Sequence, residues 1–137
     1  MSTQRVISAS PYEGRYGFCR ALRSGDRIEV AGTAPIGDDG STVAGGPAEQ
    51  TRRCFTLAMR CVEELGGTAQ DVVRTRMFIV DAADADVIGR VHAEFFGAHP
   101  PVATMVVVAA LLDASWRMEI EVQAQLCSRV ADDTASG

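Results

Sequence analysis

The stretch from Val102 to Leu126 constrains the fold of this 137-residue chain more than any other. From Trp116 to Leu126 the residues alternate without a fault: Trp116, Met118, Ile120, Val122, Ala124 and Leu126 point one way, and Arg117, Glu119, Glu121, Gln123 and Gln125 the other. Period-two alternation marks a β-strand with one buried face, here opposite a face carrying two carboxylates. The adjoining strand, Ala103 to Leu112, is apolar on both faces apart from Thr104. Such a strand must be covered on both sides.

The rest of the chain holds too few helices for that. Residues 1–16 read as irregular, with a short edge strand at Val6–Ser8, and Phe18 to Leu22 reads as extended. Ser24, Gly25 and Asp26 make a turn into a strand from Arg27 to Ala34 with Ile28 and Val30 inward, followed by a glycine-rich connection over Gly37–Gly46. That connection lacks the G-x-G-x-x-G spacing of a phosphate cradle. Pro47 suits the first position of a helix. The apolar stripe Thr51, Phe55, Ala58, Val62 and Leu65 runs along this helix, and Gly66–Gly67 stops it. Val72 to Asp81 is the next strand, parallel to the Arg27–Ala34 strand with a right-handed crossover. A second helix spans Ala83 to Phe96, with Val87, Val91 and Phe95 as its stripe and Ile88 beside it. Five or six strands and two helices make an α+β domain whose helices cover one face of a mixed sheet. Burying one valine-sized side chain contributes ~1.5–3 kcal/mol, so the bare face is expected to close against copies of the same chain.

At 137 residues the chain reads as one domain, ordered over about 5–127, with a frayed tail at 128–137. The net charge of -5 argues against a nucleic-acid footprint. All 13 basic residues are arginine, which removes lysine Schiff-base chemistry and the phosphate-binding lysine. Met1–Ser10 has no apolar run and nothing approaches membrane-spanning length, so a soluble, cytoplasmic protein with no membrane partner is expected. Cys19, Cys54, Cys61 and Cys127 have no paired spacing and read as reduced. Cys54 and Cys61 lie two turns apart on the first helix, as packing residues. His92, Ala93 and Glu94 start like a zinc deaminase motif, but no P-C-x-x-C follows. His92 then reads as a surface histidine and His99 as a loop histidine; no metal and no cofactor are expected.

The strand and helix order, with particular residues, resembles the Rid family (YjgF- or RidA-like). The matching segments are Phe18–Leu22, Ser24–Asp26, Val30 to Pro35, Gln50–Arg52, Asp71–Arg74, Phe95–Gly97 and Met118–Glu121. The resemblance implies a chorismate-mutase-like fold assembled as a homotrimer, its sheets forming a central barrel, with small-molecule pockets at the subunit interfaces. In well-studied members an arginine on the penultimate strand grips the carboxylate of a 2-imino or enamino acid, and a glutamate on the last strand positions the hydrolytic water. By this likeness Glu119 is the water-positioning residue, Gly32 the pocket glycine, and Phe18 takes the place of an aromatic, often tyrosine. Phe96 belongs to a mainly core pair, one ring of which walls the pocket by the same likeness.

Counting back from Glu119, Thr104 stands where the arginine is expected. Charged hydrogen bonds contribute ~1.5–3 kcal/mol each and neutral ones ~1, so amino-acid-derived imines lose most of their anchor here. Arg20, two residues from Phe18, either restores a cation at the pocket mouth or pairs with Glu13, Glu119 or Glu121. Glu119 itself reads either as a carboxylate paired with Arg117 or an arginine of another subunit, or as a general base with a pKa raised by burial. Glu121 reads as structural. Three functions follow: a hydrolytic deaminase of reactive imines, enamines or related C=N compounds; a non-catalytic small-molecule binding or sensing trimer; and an endoribonuclease or translation inhibitor, against which the acidic charge and missing lysines argue.

Overall fold

The alternation that opens the sequence reading becomes the centre of the core. Met118, Ile120, Val122 and Ala124 are each at most 1% exposed, and the strand carrying them lies between two others. The computed structural model describes residues 2–127, so the expected tail at 128–137 lies outside the described residues. The elements are β1 (Thr3–Val6), α1 (Pro11–Tyr16), β2 (Ala21–Ser24), β3 (Arg27–Thr33), α2 (Pro47–Glu64), β4 (Val72–Ile79), α3 (Ala85–Phe96), β5 (Val102–Val107) and β6 (Met118–Gln125). The strands form one mixed sheet in the order β1-β2-β3-β6-β4-β5. Among the described residues only the β4–β5 pair is parallel. β3 and β4 run parallel to each other, as the β-α-β reading requires, but β6 lies between them, antiparallel to both.

The α2 stripe is as expected: Thr51, Phe55, Ala58, Val62 and Leu65 are all buried. Glu49 caps the start of α2 by accepting from the Gly46 N–H, and Gly66 leaves its end at positive φ. α2 and α3 pack on one side of the sheet, where the core cluster lies.

Several expectations need correction. α3 turns a different face inward: Ile88, Val91 and Phe96 are buried, whereas Val87 is 37% exposed and Phe95 only partly covered. Phe96 packs edge-on against Phe55, and at a tilt against the His92 ring, on the buried side of the helix. Residues 2–16 hold the expected edge strand, β1, a few residues earlier than Val6–Ser8, and a further helix, α1, in place of irregular chain. Gly17 caps α1 in the left-handed region, so Phe18 precedes β2 instead of opening it. β5 stops at Val107 because β4 ends at Ile79; the Val108 N–H makes a last bond to the Ile79 carbonyl. β4 also lies between β5 and β6, so these are not direct neighbours.

The side of the sheet away from α2 and α3 can be read from the register. Phe78 stands between Glu119 and Val106, Arg76 between Glu121 and Thr104, and Arg74 between Gln123 and Val102. Val102 is 57% and Val106 43% exposed within the chain.

Candidate functional site

The site grows from α1 and from an irregularity in β3. Ser10 caps α1 by accepting from the Tyr12 N–H, and Pro11 takes the first turn. The Glu13 carbonyl accepts from both Gly17 and Phe18 N–H groups, which ends the helix and fixes where Phe18 emerges. The Glu13 side chain is only 3% exposed. A buried carboxylate needs donors, and Ser8 supplies two, its N–H at 3.0 Å and its hydroxyl. Arg20 Nε lies 3.9 Å from Glu13 Oε2.

Arg20 then turns its fork to β3. Its Nη2 donates to the Gly32 carbonyl at 3.0 Å, and its guanidinium sits 5.6 Å above the centre of the Phe18 ring. Gly32 lies where the β3–β6 register shifts, between Val30 and Thr33. A Cβ at Gly32 would stand 3.0 Å from Glu119 Oε2, so glycine is what admits the carboxyl. Among the described residues Glu119 has no hydrogen-bond or ion-pair partner. Burial pushes its pKa above the usual 4.5, with Arg20 pulling the other way and Glu121 adding to the rise. Phe18, Arg20, Gly32 and Glu119 therefore form one cluster: a half-buried carboxyl, a cation, a backbone carbonyl and a 43% exposed ring. Such a group can hold a small polar molecule and exchange a proton with it.

Other residues of interest fall elsewhere. Thr104 is on the same face as Glu119, but one register row away and across β4. Phe96 is 2% exposed, its ring against Phe55 and His92 in the core, and within this chain it fills that core instead of walling the Glu119 cluster. Arg117 pairs with Asp84 at 2.7 Å, not with a strand carboxylate, and Glu121 pairs with Arg76 at 3.6 Å. His92 is not a free surface histidine: its Nε2 is 2.7 Å from the Thr75 hydroxyl, and it packs against Phe55 and Phe96. Burial lowers its pKa. Cys54 is fully buried, which pushes its thiol far up and leaves it inert. A groove of about 340 Å³ between α2 and α3, lined by Met59, Arg60 and Phe95, is on the helical side of the molecule and holds none of these groups. Among the described residues no three His, Cys, Asp or Glu side chains gather as metal ligands, and no helix is long and apolar enough to cross a membrane.

From the sequence Glu13 stands out only as one possible partner of Arg20. A signal existed: Ser10-Pro11-Tyr12-Glu13 with Gly17 following has the S-x-x-E opening and glycine stop of a short helix.

Comparisons with known proteins agree with the fold. A family model described as Endoribonuclease L-PSP matches residues 8–126. An uncharacterized protein of Streptomyces coelicolor is 38% identical over 123 residues, 90% of this chain and 92% of its own length. A RutC family protein of Pyrococcus abyssi is 33% identical over 95 residues, 69% of this chain and 75% of its own. The crystal structure of a YjgF/YER057c/UK114 family member from Mycobacterium tuberculosis matches with a TM-score of 0.83 at 37% identity, covering 91% of this chain and 100% of that one. With the family model spanning nearly the whole described domain, the chain belongs to the Endoribonuclease L-PSP family, the YjgF and Rid group that its residue pattern resembles.

Proposed function

We propose that the open sheet face is buried in a homotrimer, and that the Glu119 cluster becomes a small-molecule pocket at each seam. Supporting this are the exposed Val102 and Val106 on that face and the half-buried Glu119, with no hydrogen-bond partner among the described residues, beside Arg20. The second observation carries the functional reading. The pocket hydrolyses a reactive imine, enamine or related C=N compound. Ionised Glu119 accepts a proton from water as the water oxygen bonds to the C=N carbon, and passes that proton to the nitrogen to give a carbinolamine. Glu119 then takes the hydroxyl proton and delivers it to the nitrogen as the C–N bond breaks and C=O forms, releasing ammonia and a carbonyl product. The Gly32 backbone and Phe18 orient the ligand, Thr104 contacts it, and Arg20 supplies the cation. With threonine at position 104, simple 2-imino acids are poor substrates.

The test is ammonia release from imines generated by a pyridoxal-dependent dehydratase, alongside imines without a carboxylate. Glu119→Gln is expected to lower turnover about 10²-fold or more. Equal turnover in the variant would refute the role of Glu119. Binding of small ligands without ammonia release would favour the second reading, a sensing trimer built on the same pocket. The family description also names an endoribonuclease; RNA cleavage surviving a further purification step would support that reading against the charge argument.

A further inference from the structure

Arg20 is held at three points, and Glu13 is involved in two of them. Glu13 Oε2 faces Arg20 Nε at 3.9 Å. That Nε is buried and has no hydrogen-bond acceptor, so the contact is a charge pairing that leaves the rest of the guanidinium free to point onward. The Glu13 carbonyl fixes the Phe18 N–H at 3.0 Å, and the Phe18 ring lies beneath Arg20. The third point is the Gly32 carbonyl, next to which Glu119 sits. The Glu13 side chain, only 3% exposed, is held by the Ser8 N–H and hydroxyl, which fixes its carboxylate beside Arg20.

We propose that Glu13 is a positioning residue: anchored by Ser8, it holds Arg20 against Gly32, where the guanidinium acts on the nearby Glu119 carboxyl and favours its ionised form. The consequence for chemistry rests on Glu119 being the acid–base group of the proposed reaction. The charged and titratable groups around Glu119 are few. Arg20 approaches from the segment before β2, with Glu13 of α1 behind it. Glu121 is two residues along β6 and is itself held by Arg76 of β4 at 3.6 Å. α2 presents the neutral Cys54 thiol through the sheet, while β3 and β4 present Gly32 and the Phe78 ring.

This arrangement makes two neutralising substitutions act in opposite directions. Removing Arg20 takes a cation from Glu119, which then holds its proton more tightly. Removing the charge of Glu13 takes away a negative neighbour and leaves Arg20 uncompensated, so Glu119 releases its proton more easily. A loss of packing alone would not reverse sign between them.

The experiment is a carboxyl carbon NMR titration of the whole chain labelled in glutamate, with Glu119 assigned through Glu119→Gln. Arg20→Gln is expected to raise the proton affinity of Glu119 roughly two- to five-fold, and Glu13→Gln to lower it roughly two-fold. Shifts in the same direction, or no shift in either variant, would overturn the proposal. Should Glu13→Gln fail to fold, Arg20→Lys decides. It keeps the charge but cannot span Glu13 and Gly32 together, so the affinity should rise by less than in Arg20→Gln, and an unchanged value would overturn the proposal. No substrate enters the titration. Shifts as expected without ammonia release would sink the hydrolytic reading alone; Glu119-dependent turnover without the shifts would sink only the role of Glu13.

Discussion

Replacing Gly32 by alanine tests whether the close approach of β3 to Glu119 is functional. Gly32 does not sit at positive φ, so alanine meets no backbone strain there. Its Cβ would lie 3.0 Å from Glu119 Oε2 and 3.2 Å from Cδ, where ordinary contact begins at 3.4 Å. The carboxyl must therefore withdraw by a few tenths of an ångström, by rotating its side chain. A rotation of that kind costs about 0.5–1.5 kcal/mol, and Glu119 has no hydrogen bond among the described residues to lose with it. Stability should fall by no more than about 1.5 kcal/mol in urea unfolding. A displaced acid–base group is far more harmful to chemistry, with losses approaching 10²-fold for about 1 Å of misplacement. Ammonia release should accordingly drop about tenfold or more while the fold persists. Glu119→Asp in the alanine background, one methylene shorter, should show favourable coupling in a double-mutant cycle. Wild-type turnover in Gly32→Ala would refute the packing argument; so would a loss of stability above about 3 kcal/mol, the scale of a core cavity.

Two other perturbations read separate parts of the molecule. Burial lowers the His92 pKa below its ordinary 6.5, so the folded state disfavours the charged imidazole. Its contribution to stability is full above about pH 6.5 and is lost as pH falls below that value through the lowered folded pKa. His92→Gln should flatten that acid-side slope in urea midpoints between pH 7.5 and 5; an unchanged slope would mean that His92 does not titrate against the fold. On the open face, Val106→Asp puts a carboxylate in the same register row as Glu119, with Phe78 between them. Desolvating it in an interface costs several kcal/mol per subunit. Subunits should separate in sedimentation experiments at concentrations where the parent chain stays assembled, and an unaltered assembly would place the interface elsewhere.

What the chain's pattern disclosed depended on how local each determinant is. The β6 alternation and the α2 stripe were legible because one face of each is buried end to end, from Met118 to Ala124 and from Thr51 to Leu65. α3 carries Val87, Ile88, Val91, Phe95 and Phe96, apolar on more than one side. Its inward face depends on contacts beyond the helix, among them Phe96 on Phe55 and the hydrogen bond between His92 and Thr75. The place of β6 between β3 and β4 was likewise hidden, since chain order alone does not rank sheet neighbours. At the site, Arg20 and Phe18 share a side, as their two-residue spacing predicts, although Gly17 delays the strand so that Phe18 precedes it. Glu13 was missed as a buried group because its burial comes from Ser8 and from Arg20, not from any apolar periodicity. Thr104 follows from counting back along the chain from Glu119; within the single domain β4 and one register row lie between the two.

Whether sister chains cover the exposed strip of Val102 and Val106 is most directly tested by the mass of the particle in solution. Sedimentation equilibrium of the full chain at micromolar concentration should give three times its 14.6 kDa. A mass of one chain under those conditions would contradict the assembly, and with it the pocket placed at the seams.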